Sequence, residues 1–120
     1  MKIKRLPYRL TVAKYDRLPA CPDGFFSLSR AEGEISLLCE SDRCPVGATH
    51  REDGWVAFMA EGPLDFSLVG ILADLSAALA EAGIAIFALS TYDTDYLLVK
   101  EDRAADACVA LKEKGYDIRI

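Results

Sequence analysis

The sequence predicts an α+β fold in which helices cover one face of an antiparallel sheet, and three observations predict it. Leu68, Ile71, Leu72, Leu75, Leu79 and Ala82 recur at offsets of three and four, which places them on one face of a 3.6-residue helix. Apolar runs of strand length surround that helix: residues 55–60 before it, then 84–89 and 96–99 after it, the last two joined by a polar turn at 91–95. A second, shorter helix follows, with Ala104, Ala107, Cys108 and Leu111 on its apolar face, and a last short strand spans 117–120. The order from Trp55 to the end is β-α-β-β-α-β. Two interleaved β-α-β units put both helices on one side of a four-stranded antiparallel sheet, a ferredoxin-like arrangement, and leave the other side to be covered by something else.

The local signals agree with this order. Ser67 or Asp65 can cap the first helix, and Gly83 stands where a helix takes a left-handed C′ residue. Asp102 can cap the second helix, and Gly115 stops it. In the front half, residues 8–15 read as a strand that starts after Pro7. Residues 17–24 carry two prolines and read as a loop, and 25–30 and 34–40 read as a hairpin around Ala31, Glu32 and Gly33. Residues 41–54 are polar and rich in turn formers, ending in Glu52, Asp53 and Gly54. The front half, 1–54, therefore holds strands and no helix. It has too few apolar residues to stand as an independent domain and is expected to extend or flank the sheet of residues 55–120.

Composition narrows the function. The formal charge of −5 and pI of about 4.8 argue against nucleic acid and against an anionic membrane, both of which need clustered Lys and Arg. No apolar run approaches the roughly 20 residues of a spanning helix, and the basic start, MKIKRLPYRL, has no continuous apolar core. A soluble, cytoplasmic protein is expected. Cys108 reads as a small buried hydrophobe, Cys39 ends an apolar run, and Cys21 and Cys44 read as surface thiols or a loop disulfide. Cys39, Cys44 and His50 match none of the usual zinc spacings, so no metal is expected. With one histidine, no Gly-x-Ser-x-Gly, no Walker glycines and no HExxH, no enzyme and no cofactor are expected either. A metal chaperone would carry Cys-x-x-Cys in the first loop, and an RNA-recognition sheet would carry a basic face; neither is present.

Two stretches are left for a small ligand. Gly62 and Pro63 turn the chain off its strand, and Leu64, Asp65, Phe66, Ser67, Val69, Gly70 and Ile71 lead into the first helix. The free N–H groups and positive dipole end there suit a carboxylate. Gly70 costs about 1 kcal/mol against Ala inside a helix, so it reads either as a packing glycine or as room for a close approach by a ligand. Opposite stands the turn Ser90-Thr-Tyr-Asp-Thr-Asp95, whose hydroxyls, carbonyls and carboxylates could take the amino group or a basic side chain of an amino acid. A plain polar hairpin turn is the other reading.

At these stretches the sequence resembles the ACT-domain superfamily, and more narrowly the CASTOR-type ACT proteins, which include small bacterial members and arginine sensors of the animal cytosol. The resemblance is carried by Gly62-Pro-Leu-Asp-Phe-Ser-Leu-Val-Gly-Ile71, by Leu79-Ala-Glu-Ala-Gly-Ile-Ala-Ile-Phe-Ala-Leu-Ser-Thr-Tyr-Asp-Thr-Asp-Tyr96 and by Leu98-Val-Lys100. It implies tandem ACT-like units sharing one antiparallel sheet, the first (1–54) strand-only and the second (55–120) a full ACT domain. It implies an amino acid bound at an interface between ACT units, against the strand-to-helix loop. In the sensors a guanidinium is held by the turn corresponding to Thr91, Tyr92 and Asp95, so a basic amino acid is the implied ligand class. The sensors carry four ACT units in one chain, so two copies of this chain are needed for an equivalent site. Occupancy would then be transmitted to a protein partner. The alternative is an ACT-like module that binds no ligand and serves oligomerisation or a protein contact.

Overall fold

A computed structural model describes residues 2–61 and 70–119. The chain divides into two compact units, one of Met1–Pro7 with Val56–Ile120 and one of Tyr8–Trp55. The strands are β1 (Lys2–Arg5), β2 (Leu10–Tyr15), β3 (Phe26–Ala31), β4 (Glu34–Glu40), β5 (His50–Ala60), β6 (Phe87–Ser90), β7 (Asp95–Lys100) and β8 (Asp117–Arg119). The helices are α1 (Ile71–Glu81) and α2 (Ala104–Glu113). The boundary between the units falls within β5. Among the described residues no helix is long and apolar enough to cross a membrane.

The larger unit has the expected β-α-β-β-α-β order: the end of β5, then α1, β6, β7, α2 and β8. It also contains a strand that the sequence reading missed. β1 lies between β5 and β8, antiparallel to the first (Ile3 opposite Ala60) and parallel to the second (Ile3 opposite Ile118). Strand neighbours therefore run β6-β7-β5-β1-β8, so the expected four-stranded antiparallel sheet is corrected to five strands with one parallel pair. The reason β1 was missed is its composition. Lys-Ile-Lys-Arg offers a single apolar residue, yet Ile3 is 1% exposed and belongs to the core. The N–H of Leu6 donates to the Ala57 carbonyl (2.9 Å) and the N–H of Glu61 to the Lys2 carbonyl (3.0 Å), which fixes both ends of the inserted strand.

The core of this unit follows from alternation. Val56, Phe58 and Ala60 from β5, with Leu97 and Val99 from β7, face Leu75, Ala78 and Leu79 of α1 and Ala104, Ala107, Ala110 and Leu111 of α2. Ala57 and Leu98 point the opposite way and are buried too, which is why both strands read as unbroken apolar runs. Each helix ends in a Schellman motif. Ile84 N–H donates to Leu79 O and Gly83 N–H to Ala80 O (both 3.0 Å), while Tyr116 N–H donates to Leu111 O (3.2 Å) and Gly115 N–H to Lys112 O (2.9 Å). Gly83 and Gly115 have positive φ, as the sequence suggested.

Three boundaries differ from expectation. Ile84 is the buried residue of the first Schellman motif rather than the start of a strand, and β6 begins at Phe87. Asp102 does not cap α2; it sits in a 3-10 turn, Glu101–Arg103, and Arg103 occupies the cap position without a side-chain capping bond. Gly70 is not inside α1 but at its N-cap, in the left-handed region at φ 81°. The expected caps, Ser67 and Asp65, and Leu68 of the expected apolar face lie outside the described residues.

The smaller unit is antiparallel, with β3 on β4, β4 on β2 and β2 on the first half of β5. The hairpin falls as expected, with Ala31 opposite Glu34 and Glu32-Gly33 as the turn. β5 begins at His50, inside the stretch read as loop. Val12 faces Glu52 but Leu10 faces Trp55, so β5 carries an extra residue there, and Gly54 takes φ 82°. An Asp-Gly pair signals a turn in sequence; here it makes a bulge. Thr11, fully buried, secures it: its hydroxyl donates to Asp53 Oδ1 (2.6 Å) and lies 2.7 Å from Ser41 Oγ. Arg51 Nε donates to the same Asp53 oxygen (2.8 Å). Replacing Thr11 with Val keeps its shape and strands these partners. Thr11→Val is expected to lower stability by about 1–3 kcal/mol, read as a shifted urea midpoint at unchanged slope.

Candidate functional site

The site begins with register. Ser90 opposite Asp95 is the last pair of the β6–β7 ladder. The turn beyond it is closed by the Thr91 N–H to Thr94 O bond (2.9 Å), by the Thr91 hydroxyl to the same carbonyl (3.2 Å), and by Thr94 N–H to Thr91 Oγ1 (3.3 Å). Ser90 Oγ donates to Asp95 Oδ1 at 2.6 Å. Asp95 has no other hydrogen bond or ion pair among the described residues, so its second oxygen keeps its accepting capacity. Asp95 shares a strand face with Leu97 and Val99, the face that packs against the helices, and is partly buried at its end.

Thr94 joins this turn to the neighbouring strand end. Its hydroxyl donates to the Ala60 carbonyl, the last residue of β5. One residue further, at Glu61, the chain leaves for the expected strand-to-helix loop. Of the residues expected to receive a carboxylate, Gly62, Pro63, Leu64, Asp65, Phe66, Ser67 and Val69 lie outside the described residues. The far limit of that segment is described. Gly70 is exposed, and a Cβ added there would meet nothing within 4 Å, so its need for glycine is conformational rather than steric. Ile71 is partly buried against the core and opens α1, whose first N–H groups have no partner within the helix.

The turn thus brings Thr91 and Asp95 together and ties both to the end of β5. Tyr92 is 79% exposed at its tip. Thr94 was absent from the expected set although it makes the contact with Ala60; its hydroxyl bonds a carbonyl 34 residues away, which no local signal in the sequence reports. Among the described residues no group of three or more His, Cys, Asp or Glu is placed to hold a metal. All four cysteines are free, so the loop disulfide considered for Cys21 and Cys44 is not formed.

The larger unit is a sheet covered by two helices, with the 91–95 turn bonded to the end of β5. The ACT domain family model matches residues 50–113, which is 64 of the 120 residues, and the chain belongs to that family. ACT domains bind amino acids in regulatory rather than catalytic roles. Among solved structures, the chain is similar to protein Atu0741 of Agobacterium tumefaciens, at 31% identity over 98% of this chain and 90% of that one, TM-score 0.87. It also resembles VC0802 of Vibrio cholerae, a protein of unknown function described as a possible transport protein, at 15% identity over 92% and 86%, TM-score 0.68. A third similarity is to aspartokinase alpha and beta subunits, at 15% identity over 94% and 96%, TM-score 0.61. The last two likenesses concern the fold alone. No curated protein matches the chain at a significant level.

The Thr94–Ala60 bond is the link on which the turn's position rests. Thr94→Val is expected to cost about 1 kcal/mol and to speed hydrogen exchange across the 91–95 turn, measured residue by residue. Unchanged exchange there would show that the turn is held without this hydroxyl.

Proposed function

We propose that the chain is a CASTOR-type amino-acid-binding regulatory protein that works as a homodimer in the cytoplasm and transmits ligand occupancy to a protein partner. In this reading residues 1–54 form a degenerate, mostly β ACT-like unit and residues 55–120 a complete ACT domain, the two sharing a sheet. The ligand lies at an interface between ACT units. Its carboxylate is received by the segment from Gly62 to Ile71, where helix N–H groups and the dipole of α1 favour an anion. Its amino group or basic side chain is received at Thr91, Tyr92 and Asp95.

The observation that supports this reading is the state of Asp95. One carboxylate oxygen is fixed by Ser90, the other has open capacity, and the turn that carries it is bonded to the strand end from which the 62–69 segment departs. A partly buried carboxylate already oriented on one side costs little further ordering when a cation docks on the other. A hydrogen bond to a charged group is worth about 1.5–3 kcal/mol, which corresponds to roughly ten- to a hundredfold in affinity. An amino acid gains this through whichever cationic group, ammonium or basic side chain, reaches Asp95, and a basic side chain extends that reach beyond the α-ammonium.

The test is a thermal-shift screen against the twenty amino acids, because a ligand that binds only the folded state raises the melting temperature by mass action. Lysine- or arginine-like ligands are expected to produce a dose-dependent rise. Asp95→Asn, which preserves the shape and an acceptor for Ser90, should weaken that response about tenfold or more at an unchanged ligand-free melting temperature. A flat response across the panel at millimolar ligand would leave the reading without support and favour a module that only makes protein contacts.

A further inference from the structure

The smaller unit contains a pair of thiols that the amino-acid reading does not use. Cys39, fully buried near the end of β4, packs in a small core with Ala13, Tyr15 and Leu37, and the partly buried Cys44 packs against the same cluster. A 3-10 turn, Ser41–Arg43, separates the two residues and returns the chain so that Cys44, in extended conformation, comes back to Cys39. Cys44 thus joins the cluster in which the Cys39 side chain is buried. Tyr15 fixes Cys44. Its hydroxyl donates to the Pro45 carbonyl at 2.6 Å, which leaves the phenolic oxygen to accept from the Cys44 thiol at 3.4 Å. Arg51 acts electrostatically on the Cys39 thiol and offsets part of the effect of its burial.

We propose that Cys39 and Cys44 form a thiol–disulfide exchange site, in which a low-molecular-weight disulfide oxidises the pair to an intramolecular disulfide. Cys44 is the attacking residue because it is the one solvent reaches. After losing its proton to water, its thiolate attacks one sulfur of the small disulfide. The bond between the two small-molecule sulfurs breaks, a Cys44 mixed disulfide forms and one small thiolate departs. Cys39 then attacks the Cys44 sulfur. The new Cys39–Cys44 bond forms, the mixed disulfide breaks, and the second small thiolate leaves with the Cys39 proton. The protein has lost two hydrogens and two electrons, and the small disulfide has become two thiols.

The division of roles follows from burial. Cys39 is pushed up to about 12 by burial first and by the Cys44 thiol beside it second, so it remains a neutral thiol while Cys44 meets the oxidant. Once Cys44 is derivatised, the Cys39 thiol lies in the same small cluster and the second step is intramolecular, with the advantage in effective concentration that proximity gives. Exposed Cys21 and partly buried Cys108 serve as internal references.

The experiment treats the native full chain with a defined excess of oxidised glutathione, alkylates the remaining thiols, digests and maps them by mass spectrometry. The expected product is a Cys39–Cys44 cross-linked peptide with loss of two hydrogens, and no persistent glutathione adduct on Cys44. Cys39→Ala should halt the sequence at a stable adduct on Cys44, and Cys44→Ser should leave Cys39 unmodified. Because Cys39 is a core residue, the wild-type map decides the question even if its variant folds poorly. Native wild-type protein with both Cys39 and Cys44 still reduced while Cys21 is glutathionylated would overturn the proposal. So would a persistent Cys44 adduct without the cross-link, or a cross-link formed only after unfolding in urea.

Discussion

The structure depends on β5, an eleven-residue strand whose two halves do different work. Its second half, Trp55 to Ala60, is apolar and buried on both faces, so its backbone has no access to water and must be paired along both edges. That requirement explains β1. With β7 on one side, the other edge of β5 would be left to β8, which is three residues long. Lys2–Arg5 fills the gap, and its single inward residue, Ile3, is placed where Ala60 leaves room in the core. The first half of β5 pairs with β2, and the polar residues Arg51 and Asp53 can lie in a strand because the bulge at Gly54 aims the Asp53 carboxylate at the buried hydroxyl of Thr11.

What was legible in the sequence is what short-range physics dictates. Helix α1 and helix α2 declare themselves by period and by their terminal glycines, because a Schellman motif needs only neighbouring residues. The β3–β4 hairpin declares itself for the same reason. β1 and the start of β5 did not, since both are strands by virtue of partners far along the chain: Ile3 pairs with residues 60 and 118, and His50 to Glu52 pair with residues 12 to 14. Gly70 is a case between the two. The sequence marked it as unusual for a helix interior, and the structure gives the reason in its positive φ at the N-cap, a backbone condition that composition cannot distinguish from a packing requirement.

The site divides along the same line. The 91–95 turn was readable because Ser, Thr and Asp favour turns by bonding nearby backbone, which is what Thr91 does, while Ser90 and Asp95 bond each other across the turn. Its attachment to the end of β5 through Thr94 was not readable, because the partner is a backbone carbonyl and any hydroxyl would serve. The function of Asp95 sits on both sides of this divide. Its presence in a turn is ordinary; its position on the helix-covered face, in line with Leu97 and Val99, comes from the register of β6 on β7.

That register also bears on what kind of ligand fits. A chain of net charge −5 attracts cations weakly over its whole surface, and such attraction is screened by salt within about 8–10 Å. A carboxylate bonded by Ser90 at the end of a core strand differs, because it is partly buried and its direction is fixed. In the proposed site it would select a cation by position rather than by charge alone. A simple amine would satisfy it, but an amine offers nothing to the N–H groups at the start of α1, where Asp74 in the first turn already supplies some negative charge to the dipole. In the proposed site, a ligand that carries both charges would meet the start of α1 with one and Asp95 with the other. On that proposal, the length of the spacer between the charges is what would separate one amino acid from another.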